Sequence, residues 1–346
     1  MSSVREIVFA LGILIAASCP PYAAADTNAP PPRIDFERGI NLSSAEFNGN
    51  KIPGKYGTDY VYPNAQELAY YHSRGFEVVR LPFLWQRLQP ALFGELDPAE
   101  LERIRQFVSA AGALHMRVIL DPHNFGRYPL NGKDVLIGTE DVPNAAFADF
   151  WKRVTKAFAR EKAIYGFSLM NEPHDSEGLW KAAAQAGVDA IRSVDHDRLI
   201  LAPGDQWSGA WSWNQYNNDF ILNDPDNKLI YEAHQYFDSN HSGTYQGSYD
   251  SDRAYPDIGI NSVRPFSDWL HTHHVRGIIT EFGVPNNDPR WLEVVDRLLT
   301  WLTQNDIPWV YWAGGPWWGN YPLSAEPKDG VDAPIMAILA KQRTAH

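Results

Sequence analysis

The sequence predicts a single α/β domain closed as a (β/α)8, or TIM, barrel. Three observations lead there. Short, almost continuously apolar runs of β type recur at intervals of 31 to 48 residues, as expected of strands covered on both faces in a parallel sheet. Helical patterns fill most of the intervals, and about 310 residues of alternation suit a barrel whose usual size is roughly 250 residues, and more with insertions. The first run ends in Asn41-Leu42-Ser43-Ser44-Ala45-Glu46 where a doubly wound open sheet, the runner-up, would place Gly-x-Gly-x-x-Gly for a dinucleotide. The closed barrel is preferred.

Taken in order, the strand runs are 39–42, 78–81, 117–120, 164–170, 199–201, 229–231, 277–279 and 309–312. Helical patterns cover 65–74, 100–114, 145–159, 179–194, 265–273, 290–304 and 334–342. The second is announced by Asp97-Pro98-Ala99-Glu100: a capping Asp, Pro at the first helical position and Glu at the third. The stretch 203–228 is rich in Trp, Asn, Asp and Ser and reads mainly as loop.

Ahead of the domain lies a different kind of segment. Arg5, an apolar run over 7–17 and the small-residue exit Ala23-Ala24-Ala25 have the layout of a cleavable secretory signal. The run is also shorter than the 20 or so residues that span a bilayer. The expected organisation is a signal over 1–25, a Pro-rich leader over 26–33 and a catalytic domain over 34–346, with the mature protein secreted and free of the membrane. Cys19 is the single cysteine, so the mature chain has no thiol for a disulfide, a Cys-bound metal or thiol catalysis. Secretion without disulfides points to a bacterial source. A lipoprotein box ending at Cys19 is the alternative, weakened by Ala16 at its first place.

The chain has 346 residues, 44% of them hydrophobic, enough to bury a large core. Its net charge of −12 repels phosphate backbones and makes nucleic acid a poor partner. Aromatic residues make up 13%, which serves either packing or flat apolar faces for a ligand.

The residues that end the strand runs carry the chemistry. Arg80 lies on the second; His123 and Asn124 follow the third; Asn171 and Glu172 end the fourth; His234 and Tyr236 end the sixth; Glu281 ends the seventh and Trp312 the eighth. A closed barrel collects all C-terminal strand ends on one face. Glu172 and Glu281 are costly to desolvate unless they meet partners or an open cleft. Two carboxylates facing each other suit glycoside cleavage, one giving a proton to the leaving oxygen and the other attacking the anomeric carbon. Asn171 can donate to the sugar hydroxyl beside the reacting carbon, which makes Glu172 the acid/base. Arg80 and Tyr236 can hold Glu281 ionised as the nucleophile.

These motifs, together with Tyr56-Gly57-Thr58-Asp59-Tyr60, the run 81–90, Leu120-Asp121-Pro122-His123-Asn124 and Gly314-Gly315-Pro316-Trp317-Trp318-Gly319, resemble the family 5 glycoside hydrolases (cellulase family A). The likeness is to the secreted endo-β-1,4-glucanases of fungi and plant-associated bacteria, and it runs from about Phe36 to the C-terminus. It implies a cofactor-free, metal-free retaining endoglucanase acting on β-1,4-glucan, with Glu172 as proton donor and Glu281 as nucleophile. Arg80, His123, Asn171, His234, Tyr236 and Trp312 match the supporting residues around the cleaved bond. Trp211 stands where the resemblance would place His. A monomer is expected.

His271-Thr272-His273-His274 closes a helix on the face away from the site, where His favours the helix dipole. Asp121, His123 and His234 lack the paired His-x-His and bridging Lys of a metal hydrolase barrel. Trp151, Trp180, Trp269, Trp291 and Trp301 fall in helical patterns and read as core. The cleft wall is assigned to Trp312 first, then Trp85, Trp207 and Trp317, since indole faces stack on the C–H faces of glucose. Within the enzyme class, lichenan or xyloglucan hydrolases and β-mannanases are the rivals; outside it, a catalytically silent sugar-binding barrel.

Overall fold

The computed structural model of the protein describes residues 34–36 and 38–341. The signal and leader readings, and Cys19 with them, lie outside the described residues. The barrel strands are β1 (Arg38–Leu42), β2 (Val78–Phe83), β3 (Arg117–Pro122), β6 (Ile164–Ser168), β7 (Leu199–Pro203), β8 (Leu229–His234), β9 (Gly277–Glu281) and β10 (Trp309–Gly314), and between β3 and β6 lies a hairpin of β4 (Arg127–Leu130) and β5 (Lys133–Leu136). The eight barrel strands close in the order β1-β10-β9-β8-β7-β6-β3-β2, and their pairings are parallel, as in the join of β1 to β10. All eight runs read from the sequence are strands of this barrel. The helices are α1 (Ala65–Ser73), α2 (Trp85–Leu88), α3 (Pro98–Ala113), α4 (Asn144–Phe158), α5 (Trp180–Arg192), α6 (Trp213–Tyr216), α7 (Ile258–His273), α8 (Pro289–Gln304) and α9 (Met336–Leu339).

Helix starts follow local chemistry. Asp97 caps α3 by accepting from the Ala99 and Glu100 amides at 2.9 Å. Glu100 does not reach back to complete a capping box. Its carboxylate accepts from the Tyr60 and Tyr62 hydroxyls and from Arg103, which ties the segment after β1 to α3. A full capping box forms instead on α1, between Asn64 and Glu67. Helix α7 begins at Ile258 rather than Pro265, which sits inside it. The expected loop 203–228 contains the short α6.

Strand alternation sorts the barrel residues into two populations. Val79, Leu81, Val118, Leu120, Ile200, Tyr231, Ile279 and Tyr311 join the large core beneath the helices. Val78, Ile119, Leu199, Leu201, Ile230, Ile278 and Val310 form a second, separate apolar cluster with Ile34 and Phe36, the lower filling of the barrel. Gly39 is required there: a Cβ would meet Val310 Cγ2 at 3.0 Å and the Val78 carbonyl at 3.1 Å. Two residues further along the same inward faces, toward the C-terminal ends, the filling is polar: Asn41, Arg80, Asp121, Ser168, Glu232 and Thr280, all fully buried. The site stands on this polar layer.

Candidate active site

Arg80 organises the polar layer. Its Nη1 donates to Glu281 Oε1 at 2.9 Å and to Asn41 Oδ1 at 3.0 Å, and its Nη2 donates to Asn171 Oδ1 at 2.9 Å. Asp121 and Glu232 each approach the guanidinium at 3.2 Å. A buried cation is tolerated when its charge is countered in this way; of its nitrogens, Nε is left without a hydrogen-bond partner. Asn41 is itself fixed by donating to the Thr280 and Tyr311 carbonyls at 2.8 and 3.1 Å.

Glu281 closes β9. It receives Arg80 on one oxygen and the Tyr236 hydroxyl, at 3.1 Å, on the other. Both contacts are donors, so the carboxylate is used as an acceptor and oriented. Burial raises its proton affinity; His234 and Arg80 oppose that rise. Tyr236 is half-buried, and desolvation of its phenol together with the nearby Glu281 pushes it well above its usual value, so it remains a donor.

Glu172 follows β6 with a backbone φ of 40°, a conformation that costs a non-glycine residue about 1–3 kcal/mol and persists only where neighbours over-determine it. The neighbours are present: the Asn171 amide donates to the Pro122 carbonyl and the Trp207 amide to the Pro173 carbonyl, both at 2.9 Å. The resulting turn leaves the Glu172 side chain 16% exposed, against 4% for Glu281. His234 Nδ1 lies 2.9 Å from Glu172 Oε1 and 3.6 Å from Glu281 Oε2. One ring nitrogen therefore faces both carboxylates. An oxygen of each lies within 4.8 Å of the other and of a His234 nitrogen. Geometrically such a trio can gather a cation, but His234 Nδ1 already serves Glu172 as a hydrogen-bond partner and no other His, Cys, Asp or Glu among the described residues joins the group.

His123 is held by Asp121 through Nδ1 at 2.9 Å and lies parallel to the Trp312 indole, 5.5 Å between centroids. Its burial is outweighed by Asp121, so the imidazole sits above its usual proton affinity. Asn171 Nδ2 is buried without a partner, a donor left free beside Glu172 while its oxygen is tied to Arg80. The sequence-predicted residues Arg80, His123, Asn171, Glu172, His234, Tyr236, Glu281 and Trp312 thus meet in one place.

Above them opens a cleft of about 850 Å³. Trp312, Trp207, Trp211, Tyr216, Phe125 and Tyr321 contribute its aromatic lining. Trp207 is stacked on His174 (4.4 Å, 5°) and Trp211 on His241 (4.4 Å, 17°); each indole is 46% exposed, with its other face open to a ligand. The imidazoles behind them were not read from the sequence. Trp85 is a correction: it is fully buried, donates to Gln89 and packs against Tyr128, Phe147 and Phe150. Following β2 does not put it on the cleft, because α2 begins at that residue and turns its ring into the core. Trp317 is 48% exposed but lies outside the cleft lining; Tyr321, a few residues on, lines it instead.

Comparison with known proteins is consistent with this geometry. The profile of the cellulases, glycosyl hydrolase family 5, matches residues 40–317. Endo-beta-1,4-glucanase B of Emericella nidulans is 35% identical over 300 residues, 85% of this chain and 87% of that protein. Among solved structures, the endoglucanase Cel5A of Pseudomonas stutzeri in complex with cellobiose superposes with a TM-score of 0.84 at 40% identity, covering 90% of this chain and 94% of that one. The endo-beta-1,4-glucanase Xac0029 of Xanthomonas axonopodis pv. citri gives 0.82 at 40% identity, covering 88% and 97%.

Proposed function

Since the chain belongs to glycosyl hydrolase family 5, we propose that it is an endo-β-1,4-glucanase that cleaves internal bonds of β-1,4-glucan with retention of anomeric configuration. The observation that carries this reading is the pair Glu172 and Glu281, unequal in exposure, sharing one histidine nitrogen at the floor of an open aromatic cleft. Carboxylates about 5 to 5.5 Å apart belong to retaining enzymes, whereas inverting ones leave roughly 6.5 to 9.5 Å for a water. The close approach of the Glu172 and Glu281 oxygens supports the first.

In the reaction, Trp312 and the free Asn171 amide seat the sugar over Glu281. Glu281, aligned by Arg80 and Tyr236, attacks the anomeric carbon while Glu172 protonates the departing oxygen. Positive character on the ring is met by the ionised nucleophile, and the bond from Asn171 strengthens as it develops. In the second step Glu172 takes a proton from water, whose oxygen displaces Glu281. The stacked pairs Trp207–His174 and Trp211–His241 offer flat faces for further glucose units, which suits attack within a chain.

The signal pattern over 1–25 supports export of the protein. No helix among the described residues is long and apolar enough to cross a membrane. Purified protein assayed on carboxymethyl cellulose, lichenan, xyloglucan and mannan is expected to cut the β-1,4-glucans, with viscosity falling faster than reducing ends accumulate, and to be indifferent to chelators. Preference for mannan, or inactivation by chelation, contradicts the reading.

A further inference from the structure

Glu232 takes no part in the chemistry above, yet it is among the costliest side chains to bury. It is fully enclosed on β8, two residues before His234, so strand alternation sets both on the same inward face with Glu232 one layer deeper. Its partners come from three other strands. Ser168 on β6 donates to Oε2 and Thr280 on β9 to Oε1, both at 2.6 Å, and Arg80 Nη2 on β2 lies 3.2 Å from Oε1. His234 Nε2 stands 3.6 Å from that same oxygen. Glu232 does not line the cleft and therefore cannot touch a substrate.

We infer that Glu232 is a positioning residue for the reaction: from beneath, it holds His234 as an imidazolium whose Nδ1–H faces Glu172 and Glu281. A neutral imidazole has one N–H and one lone pair. Here Nδ1 faces Glu172 and Glu281 and Nε2 faces Glu232, so one neutral tautomer would aim a lone pair at the ionised nucleophile Glu281 and the other at Glu232. Only the doubly protonated ring suits both sides. The charged groups around it are Glu232 on its own strand, Glu172 after β6 and Glu281 on β9, with Arg80 reaching Glu232 and Glu281 from β2 and Asp121 facing Arg80 from β3. Burial opposes the charge on His234, but Glu281, Glu172 and Glu232 push it up to about 10. Burial likewise opposes ionisation of Glu232, and Arg80, His234 and Ser168 outweigh it, holding the carboxyl at about 2.

The inference rests on the catalytic pair proposed above, and its test is partly independent of turnover. In protein labelled with ¹⁵N-histidine, with the His234 signals assigned by their loss in His234→Asn, the ring is expected to stay doubly protonated from pH 5 to 8. In Glu232→Gln it should lose a proton inside that window. The same variant should lower kcat by about 10- to 100-fold, the usual effect of removing a partner that orients a functional ligand, with KM within about threefold and part of kcat restored by Glu232→Asp. A folded Glu232→Gln protein with His234 still doubly protonated at pH 8 and unchanged kcat overturns the inference, even if it melts earlier. Should that variant fail to fold, Thr280→Val decides: a lower His234 titration midpoint with a several-fold loss of kcat supports the role, and no change in either overturns it. Turnover by Glu172→Gln or Glu281→Gln would instead refute the catalytic assignment and leave the titration result standing.

Discussion

The interior of the barrel is one cylinder with two fillings. Its lower half is apolar, built by Val78, Ile119, Ile230, Ile278 and Val310 with Ile34 and Phe36. Its upper half, two residues further along the same strand faces, is Arg80, Asp121, Glu232, Thr280 and Trp312. The backbone is the same in both. What differs is the kind of order each imposes. The lower half stabilises by area removed from water, about 25 cal/mol per Å², and asks of its side chains only that they be apolar and fit the space. In the upper half every charge must find a counter-charge or a donor, since desolvation otherwise costs more than pairing returns. Chemistry is possible in the upper half because Arg80 counters Asp121, Glu232 and Glu281 there, while Arg80 Nε, Asp121 Oδ1, Asn171 Nδ2 and His234 Nε2 are left without hydrogen-bond partners.

The largest expected effect breaks the upper half at its chemical end. Glu281→Gln or Glu172→Gln should reduce kcat on a soluble glucan by about a thousandfold or more while circular dichroism stays that of the folded parent, which reducing-end assays and spectra will check. Next comes Arg80→Leu, which strands Asp121, Glu232 and Glu281 without their shared cation. Removing one member of a buried ionic cluster costs about 3–5 kcal/mol, so denaturant midpoints should fall and activity per folded molecule should fall with them. Ile230→Ala sharpens the contrast from below: a cavity of that kind costs about 2–4 kcal/mol, yet activity per folded molecule should be unchanged. Equal losses of activity from Arg80→Leu and Ile230→Ala would abolish the distinction between the halves.

Smaller effects come from pH and from the rim of the cleft. His234 is raised from 6.5 to about 10, so its share of stability is complete below pH 6.5 and lost as pH rises through 10. Glu232 is lowered from 4.5 to about 2, so its share is complete above pH 4.5 and lost as pH falls through 2. Melting temperature against pH should therefore be highest between about 4.5 and 6.5, where both contributions are whole, and Glu232→Gln should flatten the acid side. Trp211→Ala should raise KM several-fold for long glucan oligosaccharides and little for short ones, which steady-state kinetics on a length series will show.

How much of this the sequence displays depends on how many faces a segment buries. The barrel strands were legible because both of their faces are covered, which leaves unbroken apolar runs. The residues proposed as catalytic are legible because they end those runs. The hairpin of β4 and β5 was missed although Asn131-Gly132, both at positive φ, is a strong two-residue hairpin turn signal; Arg127, Pro129 and Lys133 mask the strands beside it. The helical pattern in the sequence spans only 265–273, whereas α7 begins at Ile258 and carries Pro265 inside it. Trp85 was misplaced because position after a strand does not determine which way a short helix turns. Glu232 was hidden within Leu229-Ile230-Tyr231-Glu232-Ala233-His234; the period of two, which sets 230, 232 and 234 on one face, was the signal that would have found it. The histidines behind Trp207 and Trp211 carry no sequence mark, since those stacks join separate loops.

Trapping the covalent intermediate reports directly on which carboxylate is the nucleophile. A 2-deoxy-2-fluoro cellobioside with a good leaving group destabilises the second, deglycosylating step, so an enzyme that works through Glu281 should accumulate a single covalent adduct, and peptide mapping by mass spectrometry should place the added sugar on Glu281. An active enzyme that acquires no adduct, or carries it on Glu172, would contradict the assignment of roles from which everything above proceeds.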